Sequence, residues 1–318
     1  MEQRRFGNLG DVSSLTLGGG GTGQVWGSTT QEEAAATVKA AVDSGITFLD
    51  AAPTYGDGKA EDVIGVAFGG RLPDGVRVST KCRLGNPPPG EVLARLRVSL
   101  SDSLARMKLE RVDFFFLHNM IITDGEQPVY DGTPRTLFAD RVVPAFEKLK
   151  EEGRIGAWGI TGIGVPDAVL KTIESDPAPQ AIQVITNILD SPGGLKRFEG
   201  PPKPREIAAA AHRRGVGVMG IRAVQAGSLT SALDRQVADD HPDMVDFRKA
   251  AAFRNLSSDL GESPAALAHR YALSMDGIAT VVLGVKNRAE LQECVEAEVK
   301  GRLAPEIMAL IDGTVVRG

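Results

Sequence analysis

Ile46-Thr47-Phe48-Leu49-Asp50, Val76-Arg77-Val78-Ser79-Thr80-Lys81 and Val112-Asp113-Phe114-Phe115-Phe116-Leu117-His118 are three short apolar or β-branched runs, each closed by a polar residue. Runs of this length and composition read as strands. Tyr55 follows five residues after Asp50. The C-terminal ends of successive parallel strands converge on one mouth in an α/β barrel. Asp50, Tyr55, Lys81 and His118 would therefore meet there. A carboxylate, a phenol, an amine and an imidazole brought together can move a proton to or from oxygen, the chemistry of carbonyl–alcohol interconversion.

Outward from these runs, strand and helix alternate along the chain. Ser14–Leu17 reads as the first barrel strand, after a short leader from Arg4 to Val12. Thr30-Gln31-Glu32-Glu33 has the form of a capping box and opens a helix that Gly45 ends. Helices are expected from about 60 to 68, through Leu93, Leu96, Leu100 and Leu104, and from about 137 to 152. Later strands are expected at 157–160, 181–185, 216–219 and 279–283, each followed by helix. Eight strand–helix units predict an α/β fold, a closed (β/α)8 TIM barrel spanning residues 1–318 as one domain, its active site at the C-terminal mouth. Long segments at 119–136, 189–204 and 222–244 all follow strands, which puts them on that mouth as an enclosure for substrate.

The bulk composition narrows the function classes. Of 318 residues, 42% are hydrophobic and 24% charged, ordinary for a globular chain with a sizeable core. A net charge of -5 argues against nucleic acid or an anionic membrane as partner. No run reaches the roughly 18 apolar residues of a membrane span. Arg4 and Arg5 have no apolar stretch behind them, so no signal peptide and a cytoplasmic location are expected. Cys82 and Cys294 stand far apart and have no metal-ligand or redox spacing, which predicts two reduced thiols and no metal site.

Gly18-Gly19-Gly20-Gly21-Thr22-Gly23 matches the dinucleotide spacing G-x-G-x-x-G after a strand. That fingerprint needs the helix to open at the glycines, whereas the capping box places the helix start near Thr30. A tight turn that lets a ligand approach backbone is the expected role.

Asp50-Ala51-Ala52-Pro53-Thr54-Tyr55-Gly56, followed by Glu61 and Ile64-Gly65, resembles the aldo-keto reductase superfamily. The blocks Gly153–Thr161 and Gly284-Val285-Lys286-Asn287 extend the resemblance, which runs from Leu17 to about Glu298. It implies NAD(P)H-dependent reduction of aldehydes or ketones. Tyr55 would be the general acid, Lys81 would lower its pKa, Asp50 would hold Lys81, and His118 would orient the carbonyl. For cofactor, the resemblance points to Gly21 and Thr22 near the nicotinamide ribose and to Thr161 and Gln183 at the carboxamide. It places Arg222, Ala223, Val224 and Gly227 at the pyrophosphate, and Gly284, Lys286, Glu290 and Glu293 toward the adenosine. Trp26 would line the substrate pocket.

The chain departs from the family pattern in places. Thr161-Gly162 replaces a Ser-Asn pair, Thr186 stands where a tyrosine often stacks, and Arg222–Gln225 replaces Ser-Pro-Leu-Gly. Glu290 occupies a position usually Arg or Gln, and Cys294 one usually Asn. Glu290 would repel a 2′-phosphate that Lys286 would attract, so NADP and NAD both stay open, with NAD(H) expected to serve at least as well. The tail after Leu303 lacks aromatic residues, which implies an open mouth and relaxed substrate choice; the expected partner is a small-molecule carbonyl or sugar substrate. Three rivals stand beside the reductase: an aldose or alcohol dehydrogenase, a cofactor-binding regulatory module like potassium-channel beta subunits, and an aldolase using Lys81 as a Schiff-base amine. A monomer or weak homo-oligomer is expected.

Overall fold

Eight parallel strands close on themselves. They are β3 (Leu15–Gly18), β4 (Phe48–Asp50), β5 (Arg77–Cys82), β6 (Val112–Leu117), β9 (Ile155–Thr161), β10 (Ala181–Ile185), β11 (Gly217–Ile221) and β12 (Thr280–Leu283), joined in that order with β12 returning to β3. Outside the barrel, β1 (Gln3–Arg5) and β2 (Asp11–Ser13) form an antiparallel hairpin, and β7 (Ile121–Ile122) pairs with β8 (Thr133–Pro134). The computed structural model describes residues 1–126 and 129–317. Gln127 and Pro128, within the long segment read at 119–136, and Gly318 lie outside the described residues.

All eight expected strands are present. β5 and β9 run further than expected, so Lys81 and Thr161 lie inside strands. Side chains two apart on a strand share a face. Phe48, Phe114, Phe116, Ala157, Ala181 and Met219 cluster inside the barrel with Phe6 and Val12 from the hairpin. Phe6 meets Phe48 and Phe114 edge-on, at ring distances of 5.9 and 5.6 Å. Gly217 leaves room for the Phe6 ring, because a Cβ there would lie 2.7 Å from it. The leader is thus a plug that seals the N-terminal end. The same inward parity carries Phe48 on to Asp50, Ser79 to Lys81, Phe116 to His118, Gly159 to Thr161 and Ala181 to Gln183. Residues of opposite parity, such as Phe115, face the helices, and Phe115 packs on Phe146.

The capping box forms by half. Thr30 Oγ1 accepts from Glu33 N at 3.1 Å, and the helix Gln31–Asp43 follows. The Glu33 carboxylate does not reach back to the cap; it pairs with Arg288 at 2.9 Å. The expected helix near 137–152 runs through a π-helical turn at Phe138–Val142 into Val143–Glu151. After Leu303 the chain forms a further helix, Pro305–Asp312, that the sequence reading left as tail. A short helix, Gly19–Thr22, also opens directly at the glycines. The turn there packs backbone on backbone: a Cβ on Gly21 would come within 1.9 Å of Val285 O.

Candidate active site

Lys81 organises the mouth. Its fully buried Nζ donates to Asp50 Oδ2 at 2.8 Å, to Ala51 O at 2.9 Å and to the Tyr55 phenol oxygen at 3.2 Å. Ser79 Oγ donates to Asp50 Oδ1 at 2.6 Å, so both carboxylate oxygens are bonded. Asp50 is aimed by its place as the last inward residue of β4, while Tyr55 arrives on the following turn. Glu61, wholly buried one turn into the next helix, accepts from Thr80 Oγ1 on β5 and from Arg106 Nε, at 2.6 Å. That ties the helix carrying the Tyr55 turn to β5. The His118 ring stands perpendicular to Tyr55 at 5.6 Å, with Nδ1 3.3 Å from Thr54 Oγ1. The four sequence-selected residues are thus brought together, three of them in direct contact through one ammonium.

The electrostatics differ from the expectation at one point. Burial pushes the Tyr55 phenol above its ordinary value, and the opposing pull of Lys81 does not overcome it, because Asp50 adds its own upward push. Lys81 therefore does not bring Tyr55 toward neutrality by itself; its charge is already shared with Asp50. For Lys81, burial works against the ammonium, but Asp50 and Tyr55 outweigh it and the pKa is raised. A protonated amine with all its donors engaged is not a Schiff-base nucleophile. Burial, with the charges of Lys81 and Arg83, pushes His118 down to about 3, so its ring is neutral across the physiological range.

A cavity of about 1100 Å³ opens beside these groups. Asp50, Tyr55, His118, Trp26, Thr161, Gln183, Arg222, Ala223, Val224, Gly227, Gly284, Lys286, Glu290 and Glu293 all line it. Gly21 and Thr22 do not: Gly21 packs against the loop after β12, and Thr22 is buried with its hydroxyl turned to Gly19 O, 3.4 Å away. Gly18 and Gly20 line the wall in their place. Lys81 also lies behind the wall and reaches the cavity through the Tyr55 oxygen. Thr186 turns away, donating to Val184 O at 2.8 Å. The three long segments all contribute lining side chains, among them Tyr130, Arg197 and Asp234.

Two features fit this cavity to a dinucleotide. Gln183 Nε2 is buried with no hydrogen-bond partner among the described residues, a donor suited to a carboxamide oxygen. The turn after β11 has left-handed backbone at Arg222, Gln225 and Ala226 and is held rigidly. Arg222 Nε donates to Gln225 Oε1 at 2.8 Å, Arg222 and Arg235 both pair with Asp243, and Gln225 Nε2 donates to Asp246 Oδ2 at 2.8 Å. Asp243 and Asp246 were missed in the sequence, since a carboxylate in a long polar segment carries no local mark of burial. At the far end, Lys286 Nζ lies 3.0 Å from Glu290 and 3.2 Å from Asp234. Burial pulls Lys286 down, but these two carboxylates override it and hold it charged. Lys286 and Glu290, expected to oppose one another toward a ligand, are instead paired with each other.

A family model described as "Aldo/keto reductase family" matches residues 14–315. Similar proteins include an L-galactose dehydrogenase from Arabidopsis thaliana, 27% identical, with 93% of this chain and 88% of that protein covered. A D-threo-aldose 1-dehydrogenase from a Pseudomonas species is also 27% identical, over 90% of this chain and 89% of its own length. Among solved structures, an aldo-keto reductase from Bacillus halodurans in its holo form superposes with a TM-score of 0.74 at 21% identity, covering 100% of this chain and 97% of that one; it shares the barrel. The chain belongs to the aldo/keto reductase family and is an NAD(P)-dependent oxidoreductase acting on carbonyl or alcohol groups.

Proposed function

We propose that Tyr55 is the proton donor and acceptor of this oxidoreductase, with Lys81, Asp50 and His118 arranged around it and NAD(H) as the preferred cofactor. The observation that carries this reading is the single ammonium of Lys81, bonded at once to Asp50 and to the Tyr55 phenol oxygen at the edge of the cavity. When bound, the reduced dinucleotide supplies hydride to the carbonyl carbon. Tyr55 gives its proton to the carbonyl oxygen, and Lys81 stabilises the phenolate left behind. Asp50 keeps Lys81 charged. The neutral His118 ring retains one N–H with which to hold the carbonyl oxygen. Thr161 and Gln183 would receive the carboxamide, the turn at 222–227 the pyrophosphate, and Lys286, Glu290 and Glu293 the adenosine end.

The preference for NAD(H) rests on Asp234 and Glu290. Lys286 is held between these carboxylates, so a 2′-phosphate arriving there meets two anions for one cation. The same tetrad serves the oxidative direction, and the names of the sugar-dehydrogenase relatives support an aldose as substrate. The raised Tyr55 phenol favours the acid role, which belongs to reduction.

Tyr55→Phe tests the assignment. Turnover of a simple aldehyde falls by 10² to 10⁴, roughly the worth of a positioned general acid. A fluorescence titration with NADH and with NADPH shows nearly unchanged affinity. Substantial residual turnover removes Tyr55 from the role. Absence of turnover in the unaltered protein, with cofactor still bound, would instead favour a regulatory module.

A further inference from the structure

The substrate end of the cavity carries more positive charge than a neutral carbonyl compound needs. Beyond Tyr55 and His118 its charged lining side chains are Arg83, Arg197 and Asp131; Asp50 is already bonded to Lys81 and Ser79. Arg83 follows directly on β5 and lies close enough to His118 that its charge helps hold that ring neutral. Its only ion pair among the described residues is with Asp131, at 3.2 Å, and both side chains are largely exposed, so the contact is weak and exchangeable.

Arg197 comes from a different loop but is held on the same rim. Its neighbour Phe198 packs against Met120, Ile122 and Tyr130, and Glu199 N donates to the Tyr130 phenol oxygen at 3.3 Å. Asp131, the partner of Arg83, is the next residue after Tyr130. No salt bridge to Arg197 is formed among the described residues, although it lines the cavity. Two guanidinium groups thus line one cavity, Arg83 beside an exchangeable carboxylate and Arg197 without an ion pair among the described residues. A planar guanidinium binds carboxylate or phosphate oxygens through two parallel hydrogen bonds.

We infer that the preferred substrates are carbonyl compounds bearing an anionic group, a carboxylate or a phosphate, which Arg83 and Arg197 receive while the carbonyl faces Tyr55. This rests on the function proposed above and names the substrate class of the same site. Asp131 acts as a stand-in for that anion. Its displacement by substrate frees Arg83 to pair with the incoming anion.

Two matched pairs test it: glyceraldehyde against glyceraldehyde 3-phosphate, and butanal against succinic semialdehyde. In each pair the charged member has a kcat/KM higher by about tenfold or more, mainly through KM. The charged-to-neutral ratio falls about tenfold in Arg83→Gln and in Arg197→Gln, and rises in Asp131→Asn. It also falls with added salt. A preference in one pair alone identifies the anion as phosphate or as carboxylate. Equal kcat/KM within both pairs, or an unchanged ratio in both arginine variants, overturns the inference and leaves the Tyr55 reading standing. Loss of turnover with all four compounds overturns both.

Discussion

The floor and the mouth of the barrel are continuations of the same strands, two to four residues apart, and they obey opposite rules. At the floor, Phe6, Phe48, Phe114 and Phe116 exclude water with rings at 5.0 to 6.3 Å from one another. Each gains from being buried, and nothing there needs a partner. At the mouth, Asp50 and Lys81 are as deeply buried as those rings, and each is tolerable only because the other is present. The floor is where the fold gains stability. The mouth is where a buried ammonium is held ready beside a phenol.

Breaking each end once separates these roles. Lys81→Met leaves Asp50 buried without its counter-charge. It should cost about 3–5 kcal/mol in stability and lower turnover by roughly 10³, measured by chemical denaturation and by kcat on the folded protein. Phe114→Ala at the floor should cost a similar 3–5 kcal/mol through the cavity it leaves. Its folded fraction should keep kcat/KM within about threefold, because no group touching the mouth has lost a partner. If Phe114→Ala reduced activity as severely as Lys81→Met, the division between the two ends would not hold.

That division also explains what could be read from the chain. The strand ends were legible because period-two alternation and an apolar run followed by a polar residue are local signals; they point to Asp50, Lys81 and His118. Tyr55 followed from its place just past Asp50, whereas its role and the choice of Gln183 and Thr161 came through family resemblance, and the cavity has all three in its wall. Gly21 packs on Val285 across the barrel closure, a long-range contact with no mark in the local sequence. Nothing local in the sequence joins Arg83 to Arg197; the packing of Phe198 with Met120, Ile122 and Tyr130 brings their loops to one rim. Pro305–Asp312 was legible in principle. Proline at the first helical position, then Ile307, Met308 and Ile311, is the signature of a short amphipathic helix.

A second contrast lies within the mouth, between the buried pair and the half-exposed one. Lys81–Asp50 is beyond the reach of solvent, whereas Lys286, Glu290 and Asp234 are partly open, so altering them should tune binding without harming the fold. The double substitution Asp234→Asn and Glu290→Gln frees Lys286 for a 2′-phosphate. The NADPH-to-NADH ratio of kcat/KM should rise about tenfold, equivalent to about 1.4 kcal/mol. A ratio that stays the same would mean that these carboxylates do not face the ribose, and the preference for NAD(H) would lose its basis.

The smallest effect distinguishes His118 from the ions around it. The folded site refuses a proton until about pH 3, whereas an unfolded chain takes one up near 6.5. The unfolded state therefore binds more protons as pH falls through 6.5, so the contribution of His118 to stability is complete above that value and declines below it. Between pH 7 and pH 6 the loss should be about 0.7 kcal/mol, and His118→Asn should lack that part of the slope. Chemical denaturation of both proteins at the two pH values isolates it, since the other groups, including the buried His269, titrate in both. Over the same interval kcat/KM should show no ionisation belonging to His118. An activity step near pH 6.5 that disappears in His118→Asn would place a charged imidazole at the mouth, and the neutral hydrogen-bond donor proposed for the carbonyl oxygen would have to be found elsewhere on the wall.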